Sequence, residues 1–521
     1  MATEATPSRD ASVCLKRRFA LNAATGWGNQ VVTVLVGFVS LPYCILQLGE
    51  QSYGIYQLGA SALVFFGILQ LGMGPTLIRY YARAIAENDQ KKIRQVSSTG
   101  LAMLGCLGIL GAVLSLVSIP FFIHFYRIPQ TLIWETTGLL VCLSLSLFLR
   151  MIMPAITGML LGANRYDVSN SVMTFGQLLR FGLMIAFFEL LHPSIFYFGL
   201  AILISQFVQV VLNFVFCLKL VGRSILFSFR QIHRATFRSM LNFSSLNLIN
   251  SIAETTALQG PVLIIGKMFG EEMVTAFAPA LVIAGAMRGF LAQIPRPLVP
   301  LASREIKNEN RIENLGRLSL KIGTVVAFVG FGVAIPFCAF GHELLSFWLG
   351  TDLAWTWPVV AIMATVIAIA NIQSTNYFLA LGCGSIAPIV FSQIFEAAVV
   401  LVGTILGIVL FGWELLGIVV FIGLCYFVRG VLYLAYAYSR QFSYSYAGCL
   451  LQVYGKPALV GGVSVAFGLL VKNLFYPDNL VFLGMEIILT GLVYAVIGWM
   501  FVFPSDVKKA ILNIIPKKGL V

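Results

Sequence analysis

An all-α, polytopic membrane helix bundle is the fold this sequence predicts, and three observations predict it. Apolar residues make up 59 % of the chain and charged residues 11 %, about half the charged share of an average soluble domain. That surplus of apolar surface calls for lipid around it. Apolar stretches of about 20 residues or more, the length at which a helix crosses the hydrocarbon layer, recur along almost the whole chain. Lys and Arg then fall in alternate connections, which is the signature of a chain threaded repeatedly through a bilayer.

The spans read in order as 20–47, 53–78, 95–120, 133–161, 169–190, 196–220, 240–266, 273–300, 318–341, 355–381, 385–411, 414–438, 449–471 and 480–503. Span one follows a polar, basic segment with no A-x-A cleavage site, so it is expected to stay in place as a first helix. It carries Asn22, Asn29, Gln30 and Thr33, mostly on one helical face. Span two ends with Pro75 and Arg79, span four closes on Leu161-Gly162, and span five carries Gln177 and Arg180. The basic stretch Gly222 to Arg238 interleaves Phe227, Phe229, Ile232 and Phe237 with Arg230, Arg234 and Arg238. It reads either as a segment lying along the lipid headgroups or as a solvated connector.

Span seven opens on Leu241-Asn242 as span one opens on Leu21-Asn22, and it presents Asn247, Asn250, Ser251 and Glu254 at helical spacing. Span eight ends with Pro300 and Arg304, span ten on Leu381-Gly382, and span eleven carries Gln393 and Glu396. The interval from Asn22 to Gly162 is 140 positions, as is that from Asn242 to Gly382. Four landmarks in the same order predict two six-helix repeats in one membrane orientation, because an even number of spans separates them. The expected parts are an N-terminal lobe 1–221, a basic cytoplasmic linker 222–238, a C-terminal lobe 239–441, and spans thirteen and fourteen with a tail over 442–521.

Basic residues gather in Arg9 to Arg18, Arg79 to Arg94, Lys219 to Arg238, Arg296 to Lys321 and Lys508 to Lys518, whereas the opposite loops carry only Arg127, Lys267 and Lys472. This bias places both termini in the cytoplasm and accounts for the net charge of +13. Nucleic acid is not an expected partner, since the positive charge follows the one-sided loop bias of a membrane-threaded chain. The nine cysteines are scattered singly and the four histidines show no ligand spacing, so neither a disulfide framework nor a metal site is expected. No Walker lysine follows the short glycine pairs Gly72/Gly74 and Gly382/Gly384, so no ATPase is expected within the chain.

Arg150, Arg180, Arg288 and Arg429 lie near mid-span, opposed by Glu254 and Glu396. Each costs about 2.5 kcal/mol or more if it faces lipid at the helix centre, so each must meet protein or water. Four arginines against two glutamates suit an anionic cargo such as a diphosphate, which guanidinium groups hold bidentately. The other reading makes each arginine structural, paired with a carboxylate or carbonyl. The polar faces of spans one and seven (Asn22, Asn29, Gln30; Asn247, Asn250, Ser251) read as the lining of a cavity on the pseudo-twofold axis, or as hydrogen bonding that holds the bundle together. Glu254 and Glu396 are candidates for coupling transport to a proton or sodium gradient, since a buried carboxylate can exchange protons in a transport cycle.

Leu48 to Tyr56 (LGEQSYGIY) resembles a signature of the oligosaccharide and O-antigen flippases in the multidrug/oligosaccharidyl-lipid/polysaccharide exporter superfamily. Leu71 to Gly74 followed by Arg79-Tyr80, Gly162 to Asn170, Ile265 to Gly270, and Glu396 to Ala398 with Gly412 to Gly417 are similar to further stretches of that family. The resemblance implies a V-shaped bundle of twelve helices plus two that alternates between inward-open and outward-open states. It implies a non-enzymatic flippase that moves polyprenyl-diphosphate-linked glycan from the cytoplasmic to the outer leaflet of the inner membrane. Expected partners are membrane lipids, a polysaccharide polymerase and glycosyltransferases; no cofactor is expected. A lipid II flippase and a cation-coupled drug antiporter are the alternatives within the superfamily. A membrane glycosyltransferase would need a sizeable polar loop, and the outward loops are short.

Overall fold

The computed structural model describes residues 9–70, 72–222, 228–304, 311–383, 387–475, 479–503 and 508, and every regular element among them is helical. Thirteen stretches among the described residues are long and apolar enough to cross a bilayer. The first, Ala24–Ala86, contains 63 residues, about 95 Å if straight, against a hydrocarbon layer of about 30 Å. Within it, helix α1 (Arg9–Gly67) is interrupted at Gly49 (φ 79°, ψ 163°), a backbone region that only glycine enters readily. The stretch therefore serves as two crossings, which brings the total to the fourteen expected.

Unit by unit, the chain packs as Met1–Thr275 and Ala276–Val521. The first unit contains α1, α2 (Met73–Ala86), α3 (Gln90–Val117), α4 (Ile119–Tyr126), α5 (Ile133–Gly162), α6 (Tyr166–Leu190), α7 (Ile195–Leu220) and α8 (Arg234–Phe269). Here α5 packs on α7, α3 and α2, and α1 on α6 and α8. Helix α9 (Glu271–Leu291) carries the division; α10 (Leu298–Arg304), α11 (Arg311–Leu349), α12 (Trp357–Ile372), α13 (Ser374–Cys383), α14 (Ala387–Phe411) and α15 (Leu415–Phe427) follow. A π-helical turn (Val428–Leu434) leads into α16 (Ala435–Gln441). Then come α17 (Tyr446–Cys449), a second π turn (Leu450–Gly455), α18 (Lys456–Leu474) and α19 (Leu480–Phe501). By packing, α8 sits with the first unit although the sequence repeat begins with it.

Several breaks recur at equivalent places in the two repeats, each with a local cause. Gly49 and Gly270 (φ 90°) close the first helix of each repeat. Span two breaks at Gly72, in the left-handed region, before α2; span eight breaks over 292–297, where Pro295 and Pro297 remove N–H donors, before α10. Span three ends at Ser118, with Pro120 starting α4, and span nine is non-helical at Phe340. The glycines that close span four then seat against these short helices. A Cβ on Gly162 would lie 2.8 Å from that of Tyr81 in α2, and one on Gly382 would lie 2.8 Å from that of Ala302 in α10. The sequence repeat is thus a repeat of packing, α5 on α2 and α13 on α10.

In the basic connector, residues 223–227 lie outside the described residues, and α8 already begins at Arg234. Arg230, Ile232, Phe237 and Arg238 are exposed there. Large apolar side chains lie on the surface along the helices, with Trp134, Leu46 and Leu190 more than 80 % exposed.

Candidate functional site

The polar face of α1 meets a polar face on α6. Asn22 donates to the Asn164 carbonyl at 3.2 Å and its side-chain oxygen accepts from the Asp167 amide at 2.9 Å. Asn170 donates to the Thr25 hydroxyl at 3.3 Å, and Asn29 accepts from Thr174 at 3.1 Å and Gln177 at 3.5 Å. Residues 22, 25 and 29 face 167, 170, 174 and 177, a one-turn spacing on both helices that zips them together. Asn22 and Asn29 therefore hold α1 to α6, which is the bundle-holding alternative of the two readings. Gln30 is half-buried in the same helix.

One turn beyond this zipper, α6 presents Arg180, half-buried, and α5 presents Arg150, exposed. The two guanidinium groups lie close enough for their charges to interact, and both act on the Tyr56 hydroxyl of α1. Tyr53 also lies within range of Arg180. Neither arginine has a carboxylate partner among the described residues. Two like charges in membrane-spanning helices with no counter-charge among the described residues repel one another. They persist only where water or an anion reaches them.

In the second unit the arginines are engaged. Arg429 donates to Glu396 at 2.8 Å, to the Ser392 hydroxyl at 3.2 Å and to the Gln393 side-chain oxygen. Glu396 is 1 % exposed at its side chain and Arg429 is 16 % exposed. Arg429 sits in the π turn Val428–Leu434, where the Gly430 carbonyl accepts from the Ala435 amide five residues on. That carbonyl accepts from Gln373 at 2.8 Å and from the Tyr454 hydroxyl at 3.2 Å. Gln373 lies at the break between α12 and α13, and Tyr454 lies in the second π turn. Asn376 donates to Gln373 at 2.9 Å, and Ser319 of α11 donates to Asn376 at 2.6 Å.

This buried chain of Ser319, Asn376, Gln373 and Tyr454 is absent from the residues singled out in the sequence. The only signal for it was three amides, Asn371, Gln373 and Asn376, within an otherwise apolar span. Arg288 of α9 reaches the Tyr426 hydroxyl. Asn250 and Ser251 are half-buried on α8 and Glu254 is exposed, whereas the side chain of Asn247 lies outside the described residues.

Comparison with known proteins accords with this arrangement. A structure of a multidrug resistance MATE family transporter of the MOP superfamily, in an inward-facing conformation, superposes with a TM-score of 0.67 at 16 % identity, covering 81 % of this chain and 98 % of that one. The lipid II flippase MurJ, in an inward closed conformation, superposes with a TM-score of 0.67 at 12 % identity, covering 92 % of this chain and 98 % of that one. At those identities the likeness establishes the fold alone. A Salmonella typhi protein described as an O-antigen transporter is 31 % identical over 70 residues, 13 % of this chain and 16 % of that relative's length. The model of the polysaccharide biosynthesis protein family matches residues 22–304. That is more than half of the chain, and the protein belongs to this family.

Proposed function

We propose that the protein is a flippase that carries a polyprenyl-diphosphate-linked oligosaccharide from the cytoplasmic to the outer leaflet of the inner membrane for surface polysaccharide assembly. The observation that carries this reading is the Arg150–Arg180 pair, two guanidinium groups in membrane-spanning helices of the first unit with no acidic partner among the described residues. A diphosphate supplies the missing negative charge and accepts paired N–H donors from each arginine. The sugar then occupies a polar path that includes Gln30, Asn250 and Ser251, while the polyprenyl chain stays in lipid. Movement of the two units by alternating access would expose the cargo to each leaflet in turn. Glu254 or Glu396 would couple that movement to a proton or sodium gradient, and no chemical step on the cargo is required of the protein. Both termini lie in the cytoplasm, where the glycosyltransferases that build the cargo also work, and a polymerase receives it outside.

Replacing Arg150 or Arg180 by Ala removes charge-assisted hydrogen bonds worth about 1.5–3 kcal/mol. Delivery of lipid-linked glycan to the outer leaflet should fall by about tenfold or more, measured by surface glycan labelling in cells with matched amounts of membrane-inserted protein. Normal delivery by both variants would reject the arginine site. A lipid II cargo is the second reading, because the same anion chemistry serves it. It predicts that loss of the protein stops cell-wall synthesis and leaves the surface glycan unchanged. A cationic drug as cargo would be repelled by the Arg150–Arg180 pair.

A further inference from the structure

The end of the first unit away from the basic loops holds a recess of about 930 Å³ between α4, the start of α5 and the end of α8. Three basic residues stand on that side of the membrane in the whole sequence, and two of them, Arg127 and Lys267, line this recess together with His124. The third, Lys472, is neutralised by Glu343 at 2.7 Å. Arg127 and Lys267 make no ion pair among the described residues, and no carboxylate is among the residues lining the recess. The Lys267 ammonium is held in place by donating to the Phe125 carbonyl at 2.6 Å and by lying 4.1 Å from the centre of the Phe125 ring. A lysine ammonium has three donors, so this anchor leaves it able to bind a ligand.

The backbone at Arg127 points the same way. It closes α4 in the left-handed region (φ 54°, ψ 45°), where glycine is the usual residue. The remaining lining joins an isoleucine wall of Ile119, Ile123 and Ile128 to the polar side chains of Gln130 and Thr137.

We propose that this recess binds the phosphate group of a membrane lipid, with Arg127 and Lys267 on the phosphate and the isoleucine wall on the first carbons of the chain. The site lies apart from the Arg150–Arg180 pair and does not rest on the transport reading. It is tested on the full chain carrying Arg150→Ala and Arg180→Ala, so that the recess alone is read, in a phosphate-free maltoside detergent, with radiolabelled farnesyl diphosphate as probe and inorganic pyrophosphate as competitor. Arg127→Gly relieves the backbone while removing the charge, so adding Arg127→Gly and Lys267→Gln to that parent should leave it folded and lower the affinity about tenfold or more. Probe binding by that parent, whatever its export, separates failure of the recess from failure of the proposed function. Affinity within twofold of the parent in the recess variant overturns the proposal. Pyrophosphate binding as tightly as farnesyl diphosphate overturns the lipid as the source and leaves a free-phosphate site. As a check on the unsubstituted protein, a diazirine-tagged farnesyl diphosphate should crosslink within 119–137, and adducts confined to other segments would also overturn it.

Discussion

Among single residues, the clearest contrast is between arginines of the same chemical type with different partners. Arg429 is tied to Glu396, Ser392 and Gln393, whereas Arg150 and Arg180 face each other with no acid among the described residues. Breaking a buried ion pair from one side leaves an uncompensated charge, and the usual loss is about 3 kcal/mol or more. Glu396→Gln should therefore lower the unfolding midpoint of the purified protein clearly. The double replacement Glu396→Leu with Arg429→Met should recover most of that loss, because an apolar pair of similar volume has no charge left to solvate. If Glu396 also couples transport, Glu396→Gln changes the dependence of export on the proton or sodium gradient, and an unchanged dependence reduces Glu396 to a structural partner. The charges themselves were legible in the sequence; which of them would be neutralised was not, because Glu396 and Arg429 are 33 positions apart and meet only through the packing of α14 on the π turn.

For helices, existence and order could be read from hydrophobic length, and the fourteen expected spans correspond to the observed helices. The breaks inside them could not. An apolar run reads as one span whether or not it is interrupted, as spans two and eight are at Gly72 and over 292–297, since each break changes backbone direction without changing composition. The packing glycines show why these breaks matter. Gly162→Ala would bring a Cβ to 2.9 Å from the Ala82 amide nitrogen, and Gly382→Ala would bring one to 2.6 Å from the Val299 carbonyl oxygen. Backbone atoms cannot rotate away as a flexible side chain can, and overpacking of this kind costs about 1–3 kcal/mol. Both substitutions should destabilise the protein in thermal unfolding measurements. Gly105→Ala and Gly462→Ala, where no atom lies within 4 Å of the added Cβ, should leave the midpoint unchanged or raise it. Equal behaviour of the two sets would mean that the α5–α2 and α13–α10 contacts are loose.

At the scale of the molecule, the fourteen spans read from the sequence and the one-sided distribution of Lys and Arg predict that both ends of the chain share a side. Fluorescent-protein fusions at either end should fluoresce, and alkaline-phosphatase fusions at either end should be inactive; an active phosphatase at one end would remove one crossing from the topology. The sequence by itself determined the membrane class, the number of spans, the two repeats and the family resemblance, because each depends on composition and spacing that a bilayer imposes locally. Only the tertiary structure decided that Asn22 and Asn29 are used to bind α6, that Gln373 and Tyr454 both donate to the Gly430 carbonyl of a π turn, and that Arg127 and Lys267 share one recess. Those outcomes depend on which helix faces which, and facing is set by the rotation and breaks of helices far apart in the chain, information that no local pattern carries.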